Sequence, residues 1–507
     1  MTMDDGKLTR RQFGAIGLVL ALSSRAVSAE KTRLHRFGYD HVLGTSMDLV
    51  VAVNDPARAE DCESAVLEEI ERLRRILSTY DPASEISRLN DTRLPVRVSP
   101  ELLEVLALYE AWRVRTRGAF NGQLGGLLGL WKDAEASGQL PDDAVLAGVA
   151  REIDGAATDL DVEAGTARRR SSQRLNVDAL GKNYILAKAL QAGRTRVPEA
   201  TGILLSIGGD LFSCGVGPDG PWSVGVADPR KPCDNAAPLA RLRLEDRALA
   251  SSGSYQRFFT VGGRRIPRMI DPRTGRPALS VLGASVLAPD PVTADALSTT
   301  LCVLGPTEGL RLIAAIPDVD AVIVDADGGV HASPGWNKRA EPVEIAQQQP
   351  NPGWPVGFEV SIELALAKTP KPAAGKPYRR PYVAVWIEDG AGKPVRTITV
   401  WGKDPKHIKE LSTWWAFGSK DAMLFQAVGK ATRDGGSYKL SWDGTDDKGK
   451  PVPPGVYVVQ IEVNREFGQH IRNMTAALPC KAKPSKADLA GNAEVDGVKI
   501  RFGAGTP

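Results

Sequence analysis

The alternation of apolar and polar positions divides the chain into two unlike parts. In the first part, strand-like apolar runs are interleaved with helical stripes. Met47–Val53 is a run rich in Val, Leu and Ala behind the turn Leu43-Gly44-Thr45-Ser46, which predicts a strand. Asp61–Leu77 sets Val66, Ile70, Leu73 and Leu77 on one stripe and predicts an amphipathic helix. The pairs Glu68–Arg72 and Glu71–Arg75 fall on its exposed side. Ser78–Asn90 reads as a loop into a short helical turn. Ser99-Pro100 supplies an N-cap and a first-turn proline for a helix through Thr116. Gly118–Trp131 is studded with glycine, which lets backbone approach something closely. Asn176–Asn183 opens a helix with the stripe Val177, Leu180, Tyr184 and Ala187. Further strands are predicted at Gly202–Ile207, Trp222–Val226, Leu239–Leu244, Val281–Leu287 and Asp320–Val324.

The pattern changes after residue 345. Residues 346–356, with Gln347-Gln348-Gln349-Pro350-Asn351-Pro352, read as a linker. Beyond it, Phe358–Leu366, Tyr382–Glu388, Val395–Trp401, Ser437–Trp442 and Val456–Val463 alternate with turns and predict a separate β-sandwich over 357–507. The fold class is therefore α+β: a mixed sheet-and-helix domain over 30–345, then a smaller all-β sandwich. A length of 507 residues also calls for more than one core.

Composition adds the compartment. Thr9-Arg10-Arg11-Gln12-Phe13, the apolar run Gly14–Leu22 and the small residues Val27-Ser28-Ala29 make residues 1–29 an export signal of the twin-arginine type. An ordinary secretory signal with a chance arginine pair is the second reading. The expected location is the bacterial periplasm. A net charge of +3 gives no reason to expect a nucleic-acid partner. The five cysteines are widely spaced, so they form neither a disulfide scaffold nor a zinc site. Cys62 and Cys302 read as core, and a Cys214–Cys233 bridge stays open. The five histidines make no ligand pair.

The chemistry concentrates in Ser251–Thr300. If Thr293 caps a helix, Asp295 and Thr299 lie one turn apart on one face, as two hard oxygen ligands for Mg²⁺. Spacing alone leaves open a plainer reading, in which Asp295 complements the helix dipole and Thr299 packs. Gly181-Lys182 at a helix start suits phosphate oxygens, and Gly208-Gly209-Asp210 at a strand end lets a ligand lie on backbone. Asp443, Asp446 and Asp447 read as solvated turn carboxylates before they read as a Ca²⁺ site.

Taken in order, these pieces resemble the ApbE family of FAD:protein FMN transferases over about residues 36–340. The matching pieces are Leu43-Gly-Thr, Ser78-Thr-Tyr with Ser84-Glu-Ile-Ser-Arg-Leu-Asn90, Gly118-Ala-Phe, Gly181-Lys182, and Ser206-Ile-Gly-Gly-Asp210. Ser251-Ser-Gly-Ser-Tyr255, Ile270-Asp-Pro-Arg-Thr-Gly-Arg-Pro277 and Ala294-Asp-Ala-Leu-Ser-Thr299 complete the set. The C-terminal part resembles the periplasmic domain DUF2271. The resemblance implies FAD as substrate, Mg²⁺ on its pyrophosphate, attack by a Thr or Ser hydroxyl of an acceptor flavoprotein, and AMP as leaving group. It implies Asp295, Thr299 and the Gly181 carbonyl as metal ligands. Gly208, Gly209 and Asp210 match its flavin-binding turn, and Tyr80, Ser84, Glu85 and Asn90 its substrate-side loop. Lys182 and Ser252 match positions near the phosphates, and Arg268, Asp271 and Thr274 belong to the Asp-Pro-Arg-Thr-Gly segment, with Arg268, Asp271 and Lys182 the expected catalytic set.

Three positions depart from the family pattern. Arg268 stands where the family usually has His. Asn176-Val-Asp-Ala-Leu-Gly-Lys-Asn183 replaces Asp-Leu-Gly-Gly-Ile-Ala-Lys-Gly, and Leu43 replaces Met. Arginine stays protonated and cannot act as a base, although it can bind phosphate oxygens. Two other readings stay open: a protein that binds or hydrolyses FAD without transfer, and a non-enzymatic partner-binding protein.

Overall fold

Eight strands form one sheet whose spatial order follows chain order, and every neighbouring pair is antiparallel. They are β1 (Leu34–Val42), β2 (Thr45–Ala52), β3 (Gly202–Ile207), β4 (Asp210–Gly215), β5 (Ala248–Gly253), β6 (Val281–Ala288), β7 (Asp320–Asp325) and β8 (Val330–Ala332). This computed structural model describes residues 32–154, 158–231, 233, 235–254, 258–341, 353–368, 378–402, 405–419, 429–430 and 432–504. The twin-arginine segment, Tyr255 and residues 346–352 of the linker lie outside the described residues.

The sheet is covered on both faces. Leu49 and Val51 face a layer of helices, whereas Val50 and Ala52 face a small second sheet built from Trp222–Val226, Ala240–Leu244 and Ala340–Glu341. Burial on both sides is why β2 reads as an unbroken apolar run. The helical layer holds α1 (Pro56–Leu77), the short α2 (Glu85–Asn90), α3 (Pro100–Arg115), α4 (Asp178–Arg196) and α5 (Pro291–Ala314).

Helix α1 begins five residues before the position expected from its stripe. Asp55 caps it by accepting from Ala57 N–H at 2.9 Å, and Pro56 fills the first position. The expected stripe is buried, and Arg75 pairs with Glu71 at 3.1 Å. The expected Glu68–Arg72 pair does not form: Arg72 binds Glu69 and Glu101, and Glu68 faces Arg196 at 3.8 Å. Ser99 caps α3 as expected. The glycines after Gly118 serve the chain's own packing. A Cβ on Gly122 would meet the Tyr109 ring at 2.8 Å, and one on Gly126 would overlap Gln173.

Two tight turns sit side by side at one end of the sheet. Leu43-Gly44 has φ of 50° and 75°, and Gly208-Gly209 has 63° and 95°, which fits two-residue hairpins with both central residues left-handed. Gly208 N–H donates to the Ser46 carbonyl at 2.9 Å and locks one turn to the other.

The second part is a sandwich of β9 (Phe358–Leu366), β10 (Tyr382–Glu388), β11 (Pro394–Trp401), β12 (Gly436–Trp442), β13 (Gly455–Asn464), β14 (His470–Cys480), β15 (Ser485–Ala490) and β16 (Val495–Ala504). One sheet runs β12-β9-β16-β15; the other runs β11-β10-β13-β14, with Gly429–Lys430 on its edge. Trp401, Trp442 and Phe502 fill its core. Asp443, Asp446 and Asp447 each accept backbone N–H groups around their turn, at Thr445, at Lys448 and Lys450, and at Thr397. The Asn235 side chain pairs with both backbone groups of Ser441 on the edge strand β12, at 2.6 and 3.1 Å. Cys62 and Cys302 are core residues, as expected, and Cys214 and Cys233 are not joined by a disulfide.

Arg465 and Glu494 form a salt bridge of 2.7 Å inside the sandwich, both about 1% exposed. Removing one partner strands the other charge. Glu494→Ala is expected to cost about 3–5 kcal/mol in urea denaturation. The apolar double replacement Arg465→Met with Glu494→Leu is expected to cost much less. Equal losses in the two proteins would show that the pair's charge is not what matters.

Candidate active site

The site lies at the sheet end marked by the Gly208-Gly209 turn. Four elements converge there: that turn, the C-terminal end of β5, the first turns of α4, and the second turn of α5. Asp290, not Thr293, caps α5, accepting from Thr293 N–H at 2.8 Å with Pro291 at the first position. The aspartate-proline pair is the stronger start signal, and it moves Asp295 one turn into the helix. Asp295 and Thr299 still share one face, four residues apart. Helix α4 has no side-chain cap at Val177; instead Leu180 N–H donates to the Tyr109 hydroxyl at 3.0 Å.

Two buried carboxylates meet here. Asp210 is 4% exposed and Asp295 6%. The amide of Asn183 joins them, its Nδ2 donating to Asp210 Oδ2 at 2.8 Å and to Asp295 Oδ2 at 2.6 Å. Lys182 Nζ forms an ion pair with the same Asp210 oxygen, and Ser251 N–H donates to Asp210 Oδ1 at 3.1 Å. Ser252 Oγ lies 2.9 Å from Ser298 Oγ and 3.2 Å from Thr299 Oγ1. Burial, then the neighbouring Asp210 charge, pushes the Asp295 carboxyl up from 3.8 to about 7, against the pull of Lys182 and Asn183.

This donor set fits a hard divalent cation. Asp295 and Thr299 present oxygens on one helix face, and Gly181 lies one turn into α4 beside Lys182. The carboxylates outnumber the one ammonium paired with them. Asn183 Oδ1 is buried without a hydrogen-bond partner, a condition that costs about 1–3 kcal/mol. No group of three or more His, Cys, Asp or Glu side chains suited to a metal exists among the described residues, so any such site depends on hydroxyl, amide and carbonyl oxygens.

The other expected residues divide into two groups. Tyr80 is 84% exposed, and its hydroxyl reaches Asp178 Oδ2 at 3.2 Å, beside Thr79 Oγ1 on Asp178 Oδ1 at 2.8 Å. Its loop is thereby tied to the start of α4. Ser84, Glu85 and Asn90 have architectural partners. Ser84 caps α2 through Ser87 N–H, Glu85 accepts from Ser99 N–H at 2.8 Å, and Asn90 pairs with both backbone groups of Leu175. Arg169, not singled out from sequence, is buried and donates to the carbonyls of Leu89, Asn90, Thr92 and Gln173. A buried arginine among six charged or polar neighbours in sequence leaves no local signal.

The Asp271–Pro277 turn is built separately. Asp271 accepts from Arg273 N–H and from its guanidinium at 2.9 and 2.8 Å, and Thr274 Oγ1 accepts from Arg276 N–H at 3.2 Å. Gly275 has φ of 73°, and its carbonyl accepts from Trp131 Nε1 at 2.9 Å. Exposed Arg268 lies over the Phe259 ring at 4.9 Å. Met269 packs against Ala119, Ala278 and Val303, where this turn meets α5. An open cleft of about 660 Å³, lined by Pro306, Leu310, Arg311, Asp325 and His331 among others, lies beyond the α5 kink at Gly305 and contains none of the site residues.

Residues 43–323 match the ApbE family, and residues 366–497 match a predicted periplasmic protein family, DUF2271. The chain belongs to the ApbE family. It is 31% identical over 357 residues to an FAD:protein FMN transferase of Rhodobacter capsulatus, covering 68% of this chain and 66% of that protein. It is 29% identical to the Treponema pallidum FAD:protein FMN transferase over 54% of this chain and 80% of that one. The crystal structure of the ApbE protein from Thermotoga maritima superposes with a TM-score of 0.54 at 26% identity, covering 61% of this chain and all of that one. The apo Pseudomonas stutzeri flavinyl transferase ApbE, at 20% identity and a TM-score of 0.51, shares the fold.

The Asp295 environment has a pH consequence. Its acidity is weakened on folding, so folding favours the neutral form. That contribution is whole below about pH 4 and is lost as pH rises through about 7. Chelator-treated protein is expected to lose melting temperature between about pH 4 and pH 7, and Asp295→Asn to flatten that slope. Identical slopes in both proteins would remove Asp295 as its source.

Proposed function

We propose that the chain is a Mg²⁺-dependent FAD:protein FMN transferase that attaches FMN through a phosphoester to a Thr or Ser of an exported or membrane electron-transfer protein and releases AMP. The observation that carries this reading is the cluster of buried Asp295, Asp210 and Asn183 with half-buried Thr299 beside Lys182, at a glycine turn. Family membership and the transferase names of the relatives support it. The match to a predicted periplasmic family and the twin-arginine segment support export. No helix among the described residues is long and apolar enough to cross a membrane.

Bound magnesium would neutralise pyrophosphate charge as the phosphoryl centre reacts. Asp295, Thr299 and the Gly181 carbonyl would hold it. Gly208 packs on Thr45, whereas open space lies where a Gly209 side chain would stand, so flavin can lie against the backbone of this turn there, and Lys182 places a positive charge beside the cluster. Ser252 fixes the Thr299 hydroxyl. In the transfer, the acceptor Oγ–P bond forms and the P–O bond to AMP breaks, its electron pair leaving on the AMP phosphate. The hydroxyl proton cannot go to Arg268, a permanent cation, and passes to solvent. Arg268 adds positive charge on the phosphate side, while Asp271 and Thr274 shape the turn that carries it.

Incubation with FAD, Mg²⁺ and a threonine-bearing acceptor is expected to give a covalent FMN mass increment and free AMP. Chelation, Asp295→Ala or Thr299→Val should abolish both. Retention of intact FAD with no adduct on any acceptor would favour a flavin-binding protein without transfer. Restoring a base by Arg268→His is expected to raise the transfer rate near neutral pH about tenfold or more. A lower rate in that variant would show that charge, not proton transfer, is what position 268 supplies.

A further inference from the structure

Asn183 is fully buried in α4, and its amide nitrogen donates one N–H to each of two carboxylates, at 2.8 Å to Asp210 and 2.6 Å to Asp295. Turning the amide over would set Oδ1 against the Asp210 oxygen that also pairs with Lys182; as placed, Oδ1 has no partner. An N–H aimed at the buried Asp295 carboxyl takes the place that a cation's charge would take there. Lys182 also reaches Asp210, whereas the only side-chain hydrogen bond to Asp295 among the described residues comes from Asn183.

We propose that Asn183 is a built-in stand-in for the divalent cation: its amide holds the Asp295 carboxyl beside Asp210 in the metal-free protein and must release Asp295 when the ion enters between Asp295, Thr299 and the Gly181 carbonyl. The inference rests on the magnesium reading of the site. The amide keeps two buried carboxylates compatible with folding before any ion arrives, and it competes with the ion afterwards. A chain so equipped folds without metal and binds metal more weakly than the same site without the amide.

The test uses the chelator-treated mature chain as wild type, Asn183→Ala and Asn183→Gly, with calorimetric titration of Mg²⁺ and Mn²⁺ and thermal melts with and without ion. Without the charge-assisted bonds to displace, Asn183→Ala is expected to bind Mg²⁺ about tenfold or more tightly. It should melt lower than wild type without the ion and recover more with it. Glycine should act in the same direction. If wild type binds Mg²⁺ and both variants bind it equally or more weakly, the stand-in is wrong and the metal site survives. If no protein binds either ion, the magnesium reading falls and takes the stand-in with it. Should alanine fail to fold, Asn183→Ser, which keeps one donor, is expected to lie between wild type and glycine in affinity; affinity at or below wild type would overturn the proposal.

Discussion

Two carboxylates removed from water at one end of a sheet are the constraint around which this domain is arranged. Asp210 and Asp295 share an environment with one ammonium, on Lys182, and one bridging amide, on Asn183. Burying a charge is tolerable only where partners replace the lost water, and here the partners fall one positive charge short. The protein meets that deficit by keeping Asp295 neutral up to about pH 7, and a cation would meet it by letting both acids ionise. The same group would thus be a weak acid in the free protein and a ligand if a cation bound.

The architecture makes such a cluster possible because antiparallel strands in chain order return to the same end. The Leu43-Gly44 and Gly208-Gly209 turns lie together there, and β5 ends beside them at Ser251 and Ser252. The opening turns of α4 and the second turn of α5 then close over the end. Each contributor sits at the edge of a regular element, so its position is set by hydrogen bonds that have nothing to do with the ligand. The Asp271–Pro277 turn is held differently, by Asp271–Arg273 and by Trp131 on Gly275, and reaches α5 through Met269 and Val303.

What the sequence shows depends on how local the cause is. Gly202–Ile207, Trp222–Val226, Phe358–Leu366 and Tyr382–Glu388 were legible to the residue, because their runs are apolar and bounded by turns. Leu34–Val42, Ser485–Ala490 and Val495–Ala504 were not, because they pair at sheet edges or carry charges that mask the alternation. Asp295 and Thr299 could be paired from helical spacing. The meeting of Asp295 with Asn183 could not, since 112 residues separate them. Ser84 and Asn90 show the reverse limit: residue type and family position marked them, yet a cap and a backbone clamp account for their side chains here.

Arg268 sharpens the chemical consequence of all this. A guanidinium over the Phe259 face offers N–H donors and no acceptor, so it is suited to binding a phosphate oxygen and not to acting as a base. Asp271 is no substitute, because both its oxygens are engaged by Arg273. Asp210 is engaged by Lys182, Asn183 and Ser251. In this chain the burden of phosphoryl transfer therefore falls on charge neutralisation and positioning, the two terms that dominate where the transition state is loose and the nucleophile needs little activation. Deprotonation of the acceptor hydroxyl would then fall to solvent, and transfer would rest on charge neutralisation and positioning alone.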